Sequence, residues 1–226
     1  MQGYLYLLAT SGILTLIPVN RLDRKYTISL LIILSVVIIL FIGLRGETIG
    51  PDWNTYQKLY AEQINFSFIQ AFIQPDPAYY GIAWIFRHIF EDIIYFNFFI
   101  SSVTVILYYK FCKNQNYPLI AFFVGLPFFI IYTINFPRQA IAMAIAAFSF
   151  KYLLSEQKVR YILGIFIAIL FHKTAIFYLI FLINGLKKVK TSSLLWFSLL
   201  FSLLFYVFLS SRLMGFISDF SEILTS

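Results

Sequence analysis

Long runs of Leu, Ile and Phe separated by short polar breaks set the pattern of this chain: Tyr4 to Val19, Thr27 to Leu44, Ile93 to Tyr109, Tyr117 to Ile134, Ala140 to Leu154, Tyr161 to Ile183 and Ser193 to Ser210. Most of these runs approach the roughly 20 residues that a helix needs to cross a bilayer. The pattern predicts an all-α, polytopic membrane bundle of about seven or eight membrane segments joined by short loops. One connection is long, Arg45 to Asp92. After the turn Pro75-Asp76-Pro77 it carries an amphipathic stretch, Ala78 to Phe90. The rings of Tyr79, Tyr80, Trp84 and Phe86, beside Arg87 and His88, read as interfacial anchors on a helix at headgroup depth.

Composition narrows the class. With 61% hydrophobic and 12% charged residues among 226, the main solvent of the chain is lipid, which excludes a soluble globular domain and leaves no length for a separate one. The whole chain, 1–226, reads as one membrane domain, and a nucleic-acid partner is not expected. The chain does not open with a cleavable signal sequence, so its first apolar run is expected to stay as a membrane helix. The lone Cys112 excludes an internal disulfide.

Charge placement sets the expected orientation, because short cytoplasmic loops hold the excess of Lys and Arg. Arg21, Arg24 and Lys25, then Lys110 and Lys113, then Lys151, Lys158 and Arg160 fall on one side if every run spans. Taking that side as cytoplasmic puts the N-terminus outside, with the long loop and the corner Asn135-Phe136-Pro137-Arg138. A single helix over Tyr161 to Ile183 would then carry Lys187, Lys188 and Lys190 outside, against the rule. A re-entrant hairpin that turns at His172-Lys173-Thr174 returns them to the cytoplasm. Each arm would be about 15 Å long against a hydrocarbon core of about 30 Å, so the turn would sit at depth. One long tilted helix is the alternative.

Under this topology three polar clusters face one compartment: Arg45 with Gly46 to Tyr56, then Pro137-Arg138-Gln139, then His172-Lys173. Asp52 and Tyr56 are four apart and share a face of any helical turn. Arg138 stands at a helix start, where the dipole favours an anion and a guanidinium matches phosphate oxygens. Each residue also has an ordinary explanation. Arg45 and Arg138 can snorkel to headgroups, Asp52 can cap a helix, and His172 can be a hydrogen-bonded core histidine. Two arginines, an aspartate and a histidine on one side at membrane depth make a plausible site for an anionic lipid with an acid or base at hand. Metal-ligand spacing, a phosphate-cradling glycine loop and a serine-nucleophile elbow are missing from the sequence, so no cofactor is expected.

The order of four motifs resembles the EpsG family of bacterial polysaccharide-polymerising membrane proteins, related in role to Wzy-like O-antigen polymerases. They are Gly43-Leu44-Arg45 with Ile49-Gly50-Pro51-Asp52-Trp53 and Tyr56; Asp76-Pro77-Ala78-Tyr79, with Asp where Glu is common; Phe136-Pro137-Arg138-Gln139-Ala140-Ile141-Ala142; and Phe171-His172-Lys173-Thr174-Ala175, with Thr for the usual serine. Relatives continue through several more membrane helices, so the resemblance implies a chain that is C-terminally truncated with respect to them.

The resemblance also implies an activity. Oligosaccharide repeat units carried on polyprenyl pyrophosphate would be joined into surface polysaccharide (capsule, exopolysaccharide or O-antigen) outside the cytoplasmic face of the bacterial inner membrane. Chain-length regulator and flippase proteins are the expected partners besides the bilayer and the lipid-linked sugar. Arg45 and Arg138 would take the pyrophosphate, and His172 or Asp52 would serve as general base. Gln139, Tyr56, Lys173 and Asp76 would complete the substrate contacts. Two alternatives stay open: a transporter or flippase of the same lipid-linked sugars, and an inactive accessory membrane subunit.

Overall fold

The computed structural model describes residues 23–46, 49–50 and 52–182. By Cα proximity the chain divides into Met1–Leu182 and Ile183–Ser226, and every described residue lies in the first unit. The runs Tyr4 to Val19 and Ser193 to Ser210, the residue Arg21 and the cluster Lys187, Lys188 and Lys190 fall outside the described residues.

What is described is helical: α1 Arg24–Gly43, α2 Trp53–Glu62 with a 3-10 turn Gln63–Asn65, α3 Phe68–Ile73, α4 Pro77–Ile89, α5 Ile93–Lys113, α6 Pro118–Asn135, α7 Pro137–Leu154, α8 Lys158–Phe171 and a 3-10 helix Lys173–Leu182. Among the described residues three of these, α1, α5 and α6, are long and apolar enough to cross a membrane. The remaining expected segments differ for physical reasons. α7 owes its burial to small residues: Ala140, Ala142, Ala144 and Ala146 are all buried, which lets neighbouring backbones come close but lowers its hydropathy. α8 has 14 residues, about 21 Å at 1.5 Å each.

Three apolar clusters hold the unit together. α1, the C-terminal half of α5 and α6 meet around Leu31, Tyr108 and Phe122. α2, α4 and the N-terminal half of α5 meet around Trp53, Tyr79 and Phe96, with Ile141 of α7. α7, α8 and the 3-10 helix meet around Tyr161, Ile165 and Ala175. The long connection is thus structured, and α4 is a second layer on α5 instead of a free interfacial helix. Tyr79 and Tyr80 are buried, a correction to their reading as headgroup anchors. Trp84 is half-buried, its Nε1 donating to the Phe66 carbonyl at 2.8 Å.

Two chain breaks place the polar residues. Phe136, held by Pro137 in a non-helical conformation (φ −131°, ψ 61°), ends α6 and starts α7 in one residue. His172 is extended (φ −162°, ψ 124°) and ends α8. The following 3-10 helix folds back, so that the Tyr161 hydroxyl near the start of α8 donates to the Tyr178 carbonyl at 2.6 Å. The chain therefore turns at His172 and does not continue as one straight helix.

At the opposite end of the bundle, Lys110 of α5 and Lys151 of α7 both lie over the Phe148 ring, at 5.8 and 3.8 Å from its centroid. The basic residues at the end of α5 and the end of α7 therefore share one face.

Candidate functional site

Asp76 begins the site. It occupies the N-cap position of α4, yet its side chain makes no capping bond, and the carboxylate reaches across to two other elements. Arg138, in the first turn of α7, donates from Nη1 to Asp76 Oδ2 at 2.8 Å and to the Tyr80 hydroxyl at 3.1 Å. His172, at the break after α8, places Nδ1 3.4 Å from both Asp76 oxygens. A carboxylate in its ionised form only accepts hydrogen bonds, so a bond between the two needs the proton on Nδ1, the tautomer that leaves Nε2 free to accept. One acid thus orients a guanidinium and an imidazole from different helices.

Burial is uneven, and that decides where a ligand can approach. The Asp76 side chain is 3% exposed, Arg138 28% and His172 20%. The cation and the imidazole face outward from a buried anion. Behind them Tyr56, Tyr60, Tyr79 and Tyr80 line a crevice of about 10 Å³, room for no more than one water-sized group. Any larger ligand would therefore have to approach from the open side.

Aromatic rings enclose the arginine. Its guanidinium carbon lies 5.8 Å from the Tyr56 ring centre and 5.5 Å from that of Tyr80. Burial raises the hydroxyls of Tyr56 and Tyr80 above the ordinary phenol range, with Arg138 opposing the shift in both. Both phenols therefore stay protonated at neutral pH, with the Tyr80 oxygen accepting from Arg138. Tyr80 was not among the site residues expected from sequence; the signal that could have found it is its position four residues after Asp76, one helical turn along the same face.

Arg45 stands close by in a different role. It is buried, and donates from Nη1 to the Thr133 carbonyl at 3.3 Å and from Nη2 to the Ile134 carbonyl at 3.0 Å, with its guanidinium 5.5 Å from the Trp53 ring centre. A cation there meets the negative end of the α6 dipole and ties α1 to the corner that presents Arg138. Arg45→Ala is expected to cost about 3 kcal/mol of stability, from two charge-assisted hydrogen bonds. Thermal unfolding in detergent checks this: an unchanged midpoint contradicts the structural role.

Gly50 seats the same corner with φ 106°, and a Cβ there would lie 3.0 Å from Ile134 Cγ2. Gly50→Ala is expected to destabilise by at least about 1–2 kcal/mol through the left-handed backbone alone, read in the same melt.

Asp52 and Tyr56 do share a turn of α2, the Tyr56 N–H donating to the Asp52 carbonyl at 3.1 Å. Asp52 makes no side-chain cap. Gln139 is half-buried and Lys173 exposed. Among the described residues, no side-chain hydrogen bond joins Asp52, Gln139 or Lys173 to the Asp76, Arg138 and His172 trio. Comparison with curated proteins and with solved structures finds no match. A model of the EpsG family matches residues 28–226.

Proposed function

The chain belongs to the EpsG family, and from that premise we propose that it is a membrane glycosyltransferase. It would join polyprenyl-pyrophosphate-linked oligosaccharide units into surface polysaccharide on the extracytoplasmic face of the bacterial inner membrane. The observation that carries this reading is the outward-facing pair of Arg138 and His172 on one buried carboxylate, Asp76.

Each group has a task that its geometry supports. Arg138 binds the pyrophosphate of the donor and offsets the charge that grows on it as the sugar C1–O bond breaks. His172, its Nδ1 proton directed to Asp76, takes the proton of the acceptor hydroxyl on Nε2 as the new glycosidic bond forms. The products are a chain longer by the transferred sugar and a free polyprenyl pyrophosphate. Tyr56 and Tyr80 hold the guanidinium in place, and Arg45 supports the corner from behind instead of touching the ligand. Asp52, near Tyr56, stands outside this proton path.

The two ends of the bundle support this orientation. The site lies at the end opposite the shared Lys110 and Lys151 face, and a basic end is retained in the cytoplasm. The fold-back after His172 is, in this reading, a re-entrant hairpin whose turn opens outward.

Removing the chain from a cell that makes the polymer is expected to leave single lipid-linked units, with long chains restored by the wild-type sequence. An unchanged length distribution contradicts the proposal.

A further inference from the structure

The long connection carries an apolar face that the proposed reaction does not use. α3 is short, and a capping box holds it: the Ser67 N–H donates to Gln70 Oε1 at 2.8 Å and the Gln70 N–H to Ser67 Oγ at 3.4 Å. Only Ala71 is buried. Phe68, Ile69, Phe72 and Ile73 remain 53%, 69%, 42% and 75% exposed. Fully burying one such side chain is worth about 1.5–3 kcal/mol, so four of them turned to water would be a large standing loss.

The face is rigidly mounted. The Phe72 ring fills the notch at Gly81 of α4, where a Cβ would meet it at 2.5 Å, and Phe68 stands edge-on to Trp84 with centroids 5.4 Å apart. It is also continuous with a membrane surface. Beyond Gly81 the same row of α4 carries Ile85 and Ile89, both exposed, and leads to Phe90, whose ring centroid lies 4.6 Å from that of Tyr95. Tyr95, Phe98 and Phe99 are exposed apolar residues of α5, one of the helices able to span.

We propose that α3 is an interfacial anchor whose exposed face lies in the bilayer, on the side where Asp76 and Arg138 open. An amphipathic element of this kind sits about 5–10 Å into the headgroup and acyl boundary. Asp76 follows α3 by three residues, so the anchor fixes the height of the buried carboxylate against the membrane surface. The insertion stands on exposure and packing alone, independent of the reaction proposed above.

Nitroxide labels at Ile69→Cys and Ile73→Cys, in vesicles of phosphatidylethanolamine and phosphatidylglycerol, test it. Both side chains are exposed and the packed Phe68 and Phe72 stay in place; buried Cys112 sets the background in the parent protein. At both sites collisions with oxygen are expected to rise, and those with a soluble nickel chelate to fall severalfold, relative to a label at the exposed Gln57. Nickel access equal to that at Gln57 overturns the proposal. So does spin–spin broadening that disappears on dilution with unlabelled protein, because a second copy of the chain would then cover the face.

Discussion

Arg138→Ala, in a cell that makes the polymer, is expected to leave single repeat units on the lipid carrier. The loss of one well-aimed charged donor from a developing anion costs about 10²- to 10³-fold in rate, enough to abolish long chains. Two side effects need separating from this. The substitution strands the Asp76 carboxylate, which is 3% exposed, and an uncompensated buried charge destabilises. It also removes the cation held between Tyr56 and Tyr80. Arg138→Lys addresses both, because it keeps the charge against Asp76 but loses the planar fork that matches a phosphate. The lysine variant is expected to accumulate normally in the membrane and still make shorter chains. Normal chain lengths from either variant at normal abundance would remove Arg138 from the reaction.

Asp76→Asn is the second large effect. The amide nearly preserves shape, so packing around α4 survives, but an amide can present a donor to His172 where the carboxylate only accepts. The imidazole is then no longer fixed with its proton on Nδ1, and Nε2 is no longer reliably the base. Loss of such orientation is expected to lower polymerisation by about 10²- to 10⁴-fold, the upper bound being the measured cost of the same substitution in the serine-protease triad. Asp76→Ala adds a stability loss. Because Arg138 is 28% exposed and water screens it, that loss is expected near about 1–2 kcal/mol, below the 3–5 kcal/mol typical of a fully buried pair. His172→Gln is the companion measurement: if Asp76 acts through His172, adding Asp76→Asn to it should change the rate little further. Two independent, multiplying losses would place Asp76 in a separate role.

Much of the fold was legible because its signals are local. The breaks at Phe136-Pro137 and at His172 come from a proline and from a polar pair in an apolar run, and charge asymmetry between loops pointed to a turn after Phe171. Two residues of the proposed site, Arg138 and His172, were legible in the same way, as a helix-start arginine and an interrupted helix. The role of Asp76 was not, because it depends on partners 62 and 96 positions away, and nothing beside Asp76 in sequence reveals them. Tyr79 and Tyr80 misled for a related reason: aromatic residues on an amphipathic helix look the same whether they meet headgroups or a second protein layer. α2 and α3 were missed because their mixed polarity resembles a loop: α2 is held by tertiary contacts and α3 by its capping box more than by periodicity. Arg45 was placed at the correct end of the bundle, yet only the structure shows it bound to the carbonyls that end α6.

The most direct measurement is polymerisation by the purified protein in detergent, given lipid-linked repeat units alone and followed on a gel. The expected result is a ladder of products from the wild-type chain and single units from Arg138→Ala. Single units from the wild type, or movement of the intact lipid-linked sugar across a reconstituted bilayer without any ladder, would contradict the polymerase reading.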